Sequence, residues 1–340
     1  MLKRILVPLD GSRRAERAIP IAARLAHATG GSIILVQALS ITHELYTIPA
    51  PTLTDRIINM ELAEAEKRLA GISTSGVLEG IPAEIVTLFG TAASTILSVA
   101  HSHHADLIVL CSHGYTGMTR WVMGSVAEKV VRYSPVPVLL LREGGPILAG
   151  PHPDATRPLR ALVSLDGSAL AKAALEPAAY LIAGLAAPEQ GALHITRVVK
   201  PLTREESLQL LDLTAPENSL RKAKKYLIST AEHIREGRVA PAIANLRLPV
   251  TWSVAVNKDV AEALIRVAEN GEDADGAGVF GGCDVIAIAT HGYSGLQRWA
   301  TRSIMERILH ATKLPLLIVR PPDVTDKSHV AWGETAVAVI

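Results

Sequence analysis

Phenylalanine occurs twice in these 340 residues and aromatic residues make up 4% of the chain, although 49% of it is hydrophobic. A core filled by Ala, Val, Ile and Leu suits close packing of helices on a sheet and argues against a β-sandwich. Cys111 and Cys283 are the only thiols, too few for a disulfide framework. Charge of one sign is also missing: 34 Lys and Arg against 33 Asp and Glu leave +1, with no electrostatic footprint for nucleic acid or an anionic bilayer. There is no run of about 18 uncharged apolar residues to span a membrane. The opening MLKRILVPLDGS puts Asp10 and Gly11 where a signal peptide would stay apolar. The expectation is a cytoplasmic protein that binds neither nucleic acid nor membrane. Walker A, H-E-x-x-H and G-x-S-x-G patterns are absent too, so weak ATP turnover is the most enzyme chemistry expected.

What is present is one unit written twice. KRILVPLDGS (3–12) returns as LRALVSLDGS (159–168), which sets Asp166 156 positions after Asp10. HGYTG (113–117) returns as HGYSG (291–295), and VPVLLLR (136–142) as LPLLIVR (314–320), both at an offset of 178. Matched landmarks in one order are the mark of a tandem repeat, and the second copy carries about 22 extra residues between its ends. The expected division is a first domain at 1–143, a Gly/Pro-rich linker at 144–157, a second domain at 158–321 and a tail at 322–340.

Within the first unit, short apolar runs alternate with segments of 3.6-residue periodicity. ILVPL, SIILVQAL, AEIVTLF, DLIVLCS and PVLLLR read as strands. SRRAERAIPIAARLAHATG, TDRIINMELAEAEKRLAGI, TAASTILSVAHSHH and SVAEKVVRYS read as helices. The second unit repeats the order, with RALVSL, ALHITRVV, PVTWSVAV, DVIAIAT and PLLIVR as strands. The fold class expected is therefore α/β: two doubly wound, five-stranded parallel-sheet domains in tandem, Rossmann-like, each with strand order 3-2-1-4-5.

In that order strands one and four flank the switch point where ligands settle. Asp10 ends strand one, and Ser112, His113 and Gly114 follow strand four. Gly114 and Gly117 let backbone N–H groups converge as an anion nest. Gly124 permits close approach of an oxyanion, and Ser125 stands where a helix begins. Ser125-Val126-Ala127-Glu128 also spells a capping box, as does Ser303-Ile304-Met305-Glu306, so the serine reads equally as cap or as ligand contact. Arg302 stands where the first unit has Gly124. It either plugs the second nest or meets an anion with its guanidinium, and plugging is the expectation. His113 either braces the loop or touches phosphate.

The spacing Cys111-x2-Gly114-x9-Gly124-Ser125, with Asp10 ending strand one and the terminal Pro137–Arg142 strand, resembles the universal stress protein family. Both units are similar to it, with Cys111 in place of the usual first glycine. In the second unit Ala289 and Arg302 replace the first and third glycines. The resemblance implies ATP in the first unit. Pro8, Leu9 and Asp10 would lie against the adenosine and the backbone at Ala38 against adenine. Leu110 and Cys111 would lie along the ribose, and Gly114, Gly124, Ser125 and Val126 at the phosphates, where a divalent Mg or Mn can join. It also implies pairing of the last strands as an internal pseudo-dimer, with a homodimer and an unknown protein partner left open. The function expected is ATP binding in stress response or signalling through a nucleotide-dependent conformational state, in the first domain only. A slow ATPase or nucleotidyl-transfer enzyme, and a scaffold binding no nucleotide, are the alternatives.

Three other features carry less. Gly276-Ala-Gly278-Val-Phe-Gly281 spells G-x-G-x-x-G but follows a helix and precedes a strand, the reverse of a dinucleotide fingerprint. His101, His103 and His104 crowd a helix C-terminus without a thiol or carboxylate at ligand spacing. Cys111 reads as a small core filler sooner than as a redox-sensitive thiol.

Overall fold

The computed structural model describes residues 2–40, 51–112, 123–142, 144–146, 148, 157–201, 215–271, 281–290 and 298–321. The first half supplies β1 (Arg4–Leu9), α1 (Arg13–Glu16), α2 (Ala18–Thr29), β2 (Ser32–Leu39) and α3 (Pro51–Ser73). It continues with β3 (Ala83–Phe89), α4 (Ala92–Ser102), β4 (Leu107–Cys111), α5 (Ser125–Tyr133) and β5 (Val138–Leu141). The second half supplies β6 (Arg160–Ser164), α6 (Leu175–Ala186), β7 (Ala192–Val199), α7 (Ala215–Arg235) and α8 (Pro241–Ala244). It closes with β8 (Val250–Val256), α9 (Val260–Asn270), β9 (Val285–Ala289), α10 (Arg298–Ala311) and β10 (Leu316–Val319). All ten strands fall where apolar runs place them; the central strands, covered on both faces, read as unbroken hydrophobic segments, while edge strand β3 and the β7–β8 pair carry polar residues among the apolar ones.

The halves share one sheet in the order β3-β2-β1-β4-β5-β10-β9-β6-β7-β8. Each half keeps the order 3-2-1-4-5, with parallel neighbours throughout. The halves join where β5 and β10 run antiparallel, pairing Leu140 with Leu316, Leu139 with Leu317 and Val138 with Ile318. Two apolar edges that would otherwise invite aggregation thus satisfy each other. Above this seam α2 packs on α6, and Gly184 lets Leu25 approach so closely that an added Cβ would lie 2.9 Å from its Cδ2. Arg142, buried at the end of β5, donates from Nε to the Thr312 carbonyl across the seam, and its burial lowers its pKa.

The extra length of the second half is spread along it. The offset between matched strand starts is 156 at β6, 160 at β7, 167 at β8 and 178 at β9 and β10. The largest step thus falls between α9 and β9, where residues 272–280, with most of the G-x-G-x-x-G pattern, lie outside the described residues.

Two local expectations change. The segment 12–30 is two helices, not one, with the break at Arg17. Pro20 has no N–H to offer the Glu16 carbonyl and its ring crowds it, while Gly30 at φ +61° closes α2 as the sequence implies. The second half steps from a 3-10 turn (Ala171–Ala174) into α6 at a matching place, just ahead of Pro177. The second change is at Ser125, which does not hold the cap position of its helix.

Between β7 and β8 the second half buries polar groups where the first buries Ile34 and Val36. His194, fully buried, holds Thr251 Oγ1 and Ser253 Oγ at 2.8 Å on its two ring nitrogens, and Thr196 Oγ1 joins Ser253 Oγ at 3.0 Å. Burial, with Arg160 nearby, lowers the His194 pKa to about 3. A histidine whose folded pKa lies below its unfolded value of about 6.5 contributes stability above that pH, lost as the unfolded chain takes up the proton. Stability is therefore expected to fall between pH 6.5 and 3 by up to about 1.4 kcal/mol per pH unit from this group alone. Urea melts at pH 7 and pH 5 check it: His194→Gln should shrink the difference, and an unchanged difference would refute it.

Candidate functional site

The topology brings the carboxyl ends of β1, β2 and β4 to one edge, with β1 central. Pro8, Leu9 and Asp10 end or follow β1, Ala38 lies near the end of β2, and Leu110 and Cys111 end β4. The β1–β4 ladder covers only Ile5–Leu107 and Leu6–Ile108, whereas β6–β9 pairs one position further. Pro8, which has no N–H, stands where the second half has Ser164, and the strands part just before it. Leu9 and Leu110 are 5% exposed with their side chains in the core, so they can offer a ligand only backbone. Cys111 is half-buried. Buried Cys283 has its thiol pKa pushed up to about 12 and is inert as a nucleophile.

Asp10 is exposed, and Oδ1 accepts the Ser12 N–H at 2.9 Å while Ser12 Oγ accepts from the Ala15 N–H. Asp166 and Ser168 repeat both bonds, at 2.7 and 3.1 Å to the Ser168 and Ala171 N–H groups. The repeated Asp-Gly-Ser is therefore a turn that ends the first strand of each half and caps the helical segment after it. His113, Gly114 and Gly117 lie outside the described residues, as do His291 and Gly292.

The decisive difference lies at the next helix. In the first half Ser112, which is buried, accepts the Gly124 N–H at 2.9 Å, and Gly124 is the N-cap of α5 with no side-chain cap bond. Ser125 is the first helical residue, so the capping-box reading is wrong: a serine inside the first turn is past the cap position. Ser125 and Val126 are exposed. Their N–H groups, with that of Ala127, lie in the first turn, beyond the reach of intrahelical acceptors. The α5 macrodipole adds positive potential there. In the second half α10 and α5 end at matching positions, Ala311 and Tyr133, but α10 has 14 residues against 9. It starts at Arg298, so Ser303 lies inside a helix and is no cap either. Glycine costs about 1 kcal/mol in a helix interior and arginine very little, so the chain starts a helix after Gly124 and runs one through Arg302. The turn that presents free N–H groups in the first half has spent them on helix bonds in the second.

The universal stress protein family model matches residues 1–142 and 159–320. The chain belongs to the universal stress protein family. A Thermus aquaticus protein described as "Universal stress protein in QAH/OAS sulfhydrylase 3'region" is 34% identical over 143 residues, which is 42% of this chain and all of that relative. "Universal stress protein MJ0531" of Methanocaldococcus jannaschii is 27% identical over 143 residues, 42% of this chain and 84% of its own length. The crystal structure of a universal stress protein from Archaeoglobus fulgidus has the same fold across both units: TM-score 0.62 at 18% identity, covering 94% of this chain and 99% of that one.

Among the described residues of this universal stress protein no group of three or more His, Cys, Asp and Glu side chains is placed to hold a metal. His103 pairs instead with Glu84, which also holds Arg4. No helix there is long and apolar enough to cross a membrane. Sequence reading passed over the partners of the Asp-Gly-Ser turns, Arg68 and Gln37 in the first half and Tyr226 and Arg197 in the second. The available signal was that matched positions Gln37 and Arg197 differ in charge beside an otherwise repeated motif.

If glycine sets the helix start, Gly124→Ala should let α5 grow backward by up to a turn. Backbone Cα chemical shifts of Met123 and residue 124 turning helical would show it; unchanged shifts would mean that tertiary contacts hold the start in place.

Proposed function

We propose that this universal stress protein binds ATP in its first unit, serving the stress response for which its family is named, with the second unit as its structural mate. The observation that carries the reading is the start of α5. Gly124 keeps the helix from reaching back, so the N–H groups of Ser125 and Val126 open at the edge that holds Asp10, Ala38 and Cys111. A helix N-terminus of this kind takes phosphate without lysine. Pro8, Leu9 and Ala38 offer the adenosine backbone and apolar surface, and His113 and Gly114 complete the phosphate loop. A divalent Mg or Mn would enter on the phosphates, with Asp10 the carboxylate on this edge. Nucleotide shifts the population of the 111–126 segment toward one arrangement, and a protein partner reads that arrangement.

Freshly purified protein, denatured and analysed for released small molecules, should yield adenine nucleotide at no more than one per chain. Gly124→Arg should weaken ATP binding by at least roughly tenfold, the scale of losing one or more charge-assisted hydrogen bonds. Two nucleotides per chain, or full affinity in Gly124→Arg, would overturn the reading.

A further inference from the structure

Each Asp-Gly-Ser turn lies beneath a guanidinium, but the two halves supply it from different elements. In the first half it is Arg68 of α3: a Cβ added to Gly11 would sit 2.8 Å from Nη1. Arg68 also reaches Gln37 Oε1 at 3.3 Å and Glu64 Oε1 at 3.5 Å, so its charge is answered. In the second half Ala223 and Leu227 repeat the buried Ala65 and Leu69, which puts Tyr226 of α7 in the place of Arg68. The guanidinium comes instead from Arg197 of β7, in the place of Gln37.

The geometry around Arg197 is more constrained. Its Cζ, Nη1 and Nη2 all stand 3.1 Å from where a Gly167 Cβ would be, so the plane lies flat over that residue. Gly167, at φ +98°, is required both for its conformation and for this approach. Arg197 Cζ stands 5.3 Å from the centroid of the Tyr226 ring, and Lys172 Nζ lies 5.5 Å from the same ring. Held between backbone and ring, the guanidinium keeps its edge as the surface that donates. A rigid planar fork of donors fits two oxygens of one oxyanion. Among the described residues neither Arg197 nor Lys172 forms an ion pair with a carboxylate, and Asp166 Oδ1 already accepts the Ser168 N–H. Two half-buried cations thus share one aromatic ring beside the Asp166 turn at the carboxyl edge of the sheet.

We propose that the second unit carries an oxyanion site of its own, in which the clamped edge of Arg197 grips two phosphate oxygens and Lys172 supplies a second positive charge. The site owes nothing to a helix N-terminus and stands whether or not the first unit binds ATP.

The test uses the full chain with Gly124→Arg, which removes the proposed first-unit phosphate contacts, and follows the Arg197 Nε–H resonance during titration with inorganic phosphate and, separately, ATP. A saturable shift is expected, with affinity falling at least roughly tenfold in Arg197→Lys, which keeps the charge and loses the fork, and also falling in Lys172→Met. Thermal melts of both variants guard against a folding defect, and Lys172→Met carries the test if Arg197→Lys is unstable. Tighter binding of ATP than of phosphate would assign the oxyanion to a nucleotide; that outcome sinks the one-nucleotide reading and supports this one. Equal affinities would assign it to free phosphate. No saturable shift with either probe, or affinity indifferent to both substitutions in folded protein, would reduce Arg197 to a packing element and overturn the proposal.

Discussion

The antiparallel pairing of β5 with β10 is the constraint on which the rest of the molecule depends. It turns two five-stranded units into one ten-stranded sheet and buries Leu139, Leu140, Leu316 and Leu317 at its centre. Because the seam relates the halves by an approximate two-fold, both carboxyl edges are built on one continuous framework, and α2 and α6 close over the join. A lone unit would leave β5 as an exposed apolar edge. The second copy thus covers that edge whatever its crevice does, and that crevice is free to change.

It has changed in two places, one a backbone decision and the other an exchange of side chains. At the end of the fourth strand, a glycine in one half and an arginine in the other decide whether a helix begins late or early, and so whether the N–H groups of that turn face outward. At the end of the first strand, both halves keep a glycine beneath a guanidinium, yet strand and helix have exchanged the duty of supplying it. The scaffold is repeated, while the groups at its edge are redistributed.

Much of this was legible in the chain. Ten apolar runs marked ten strands, most plainly the central ones, whose two covered faces leave no polar side to confuse the pattern. The offsets exposed the duplication, and the family resemblance implied the seam between the two apolar last strands. The site was legible as a set of residues near Gly124 but not as a geometry. The S-x-x-E string at Ser125 looked like a cap, and only the helix start showed that Gly124 holds the cap position and Ser125 the turn beyond it. The break at Arg17 was available in Pro20 and outweighed by the apolar spacing on either side. Arg68 and Arg197 were hidden because neither lies in a repeated motif; each meets its turn through a neighbour far away in sequence.

The sequence by itself determined the tandem plan, the places of the ten strands and the loss of a glycine at position 302, because local propensity and hydrophobic period are written residue by residue. Only the tertiary structure decided that Arg197 lies flat on Gly167 beside Tyr226 and that His194 is sealed among hydroxyls. Those outcomes depend on distances across the fold, and a clamped or sealed side chain is settled by what packs against it.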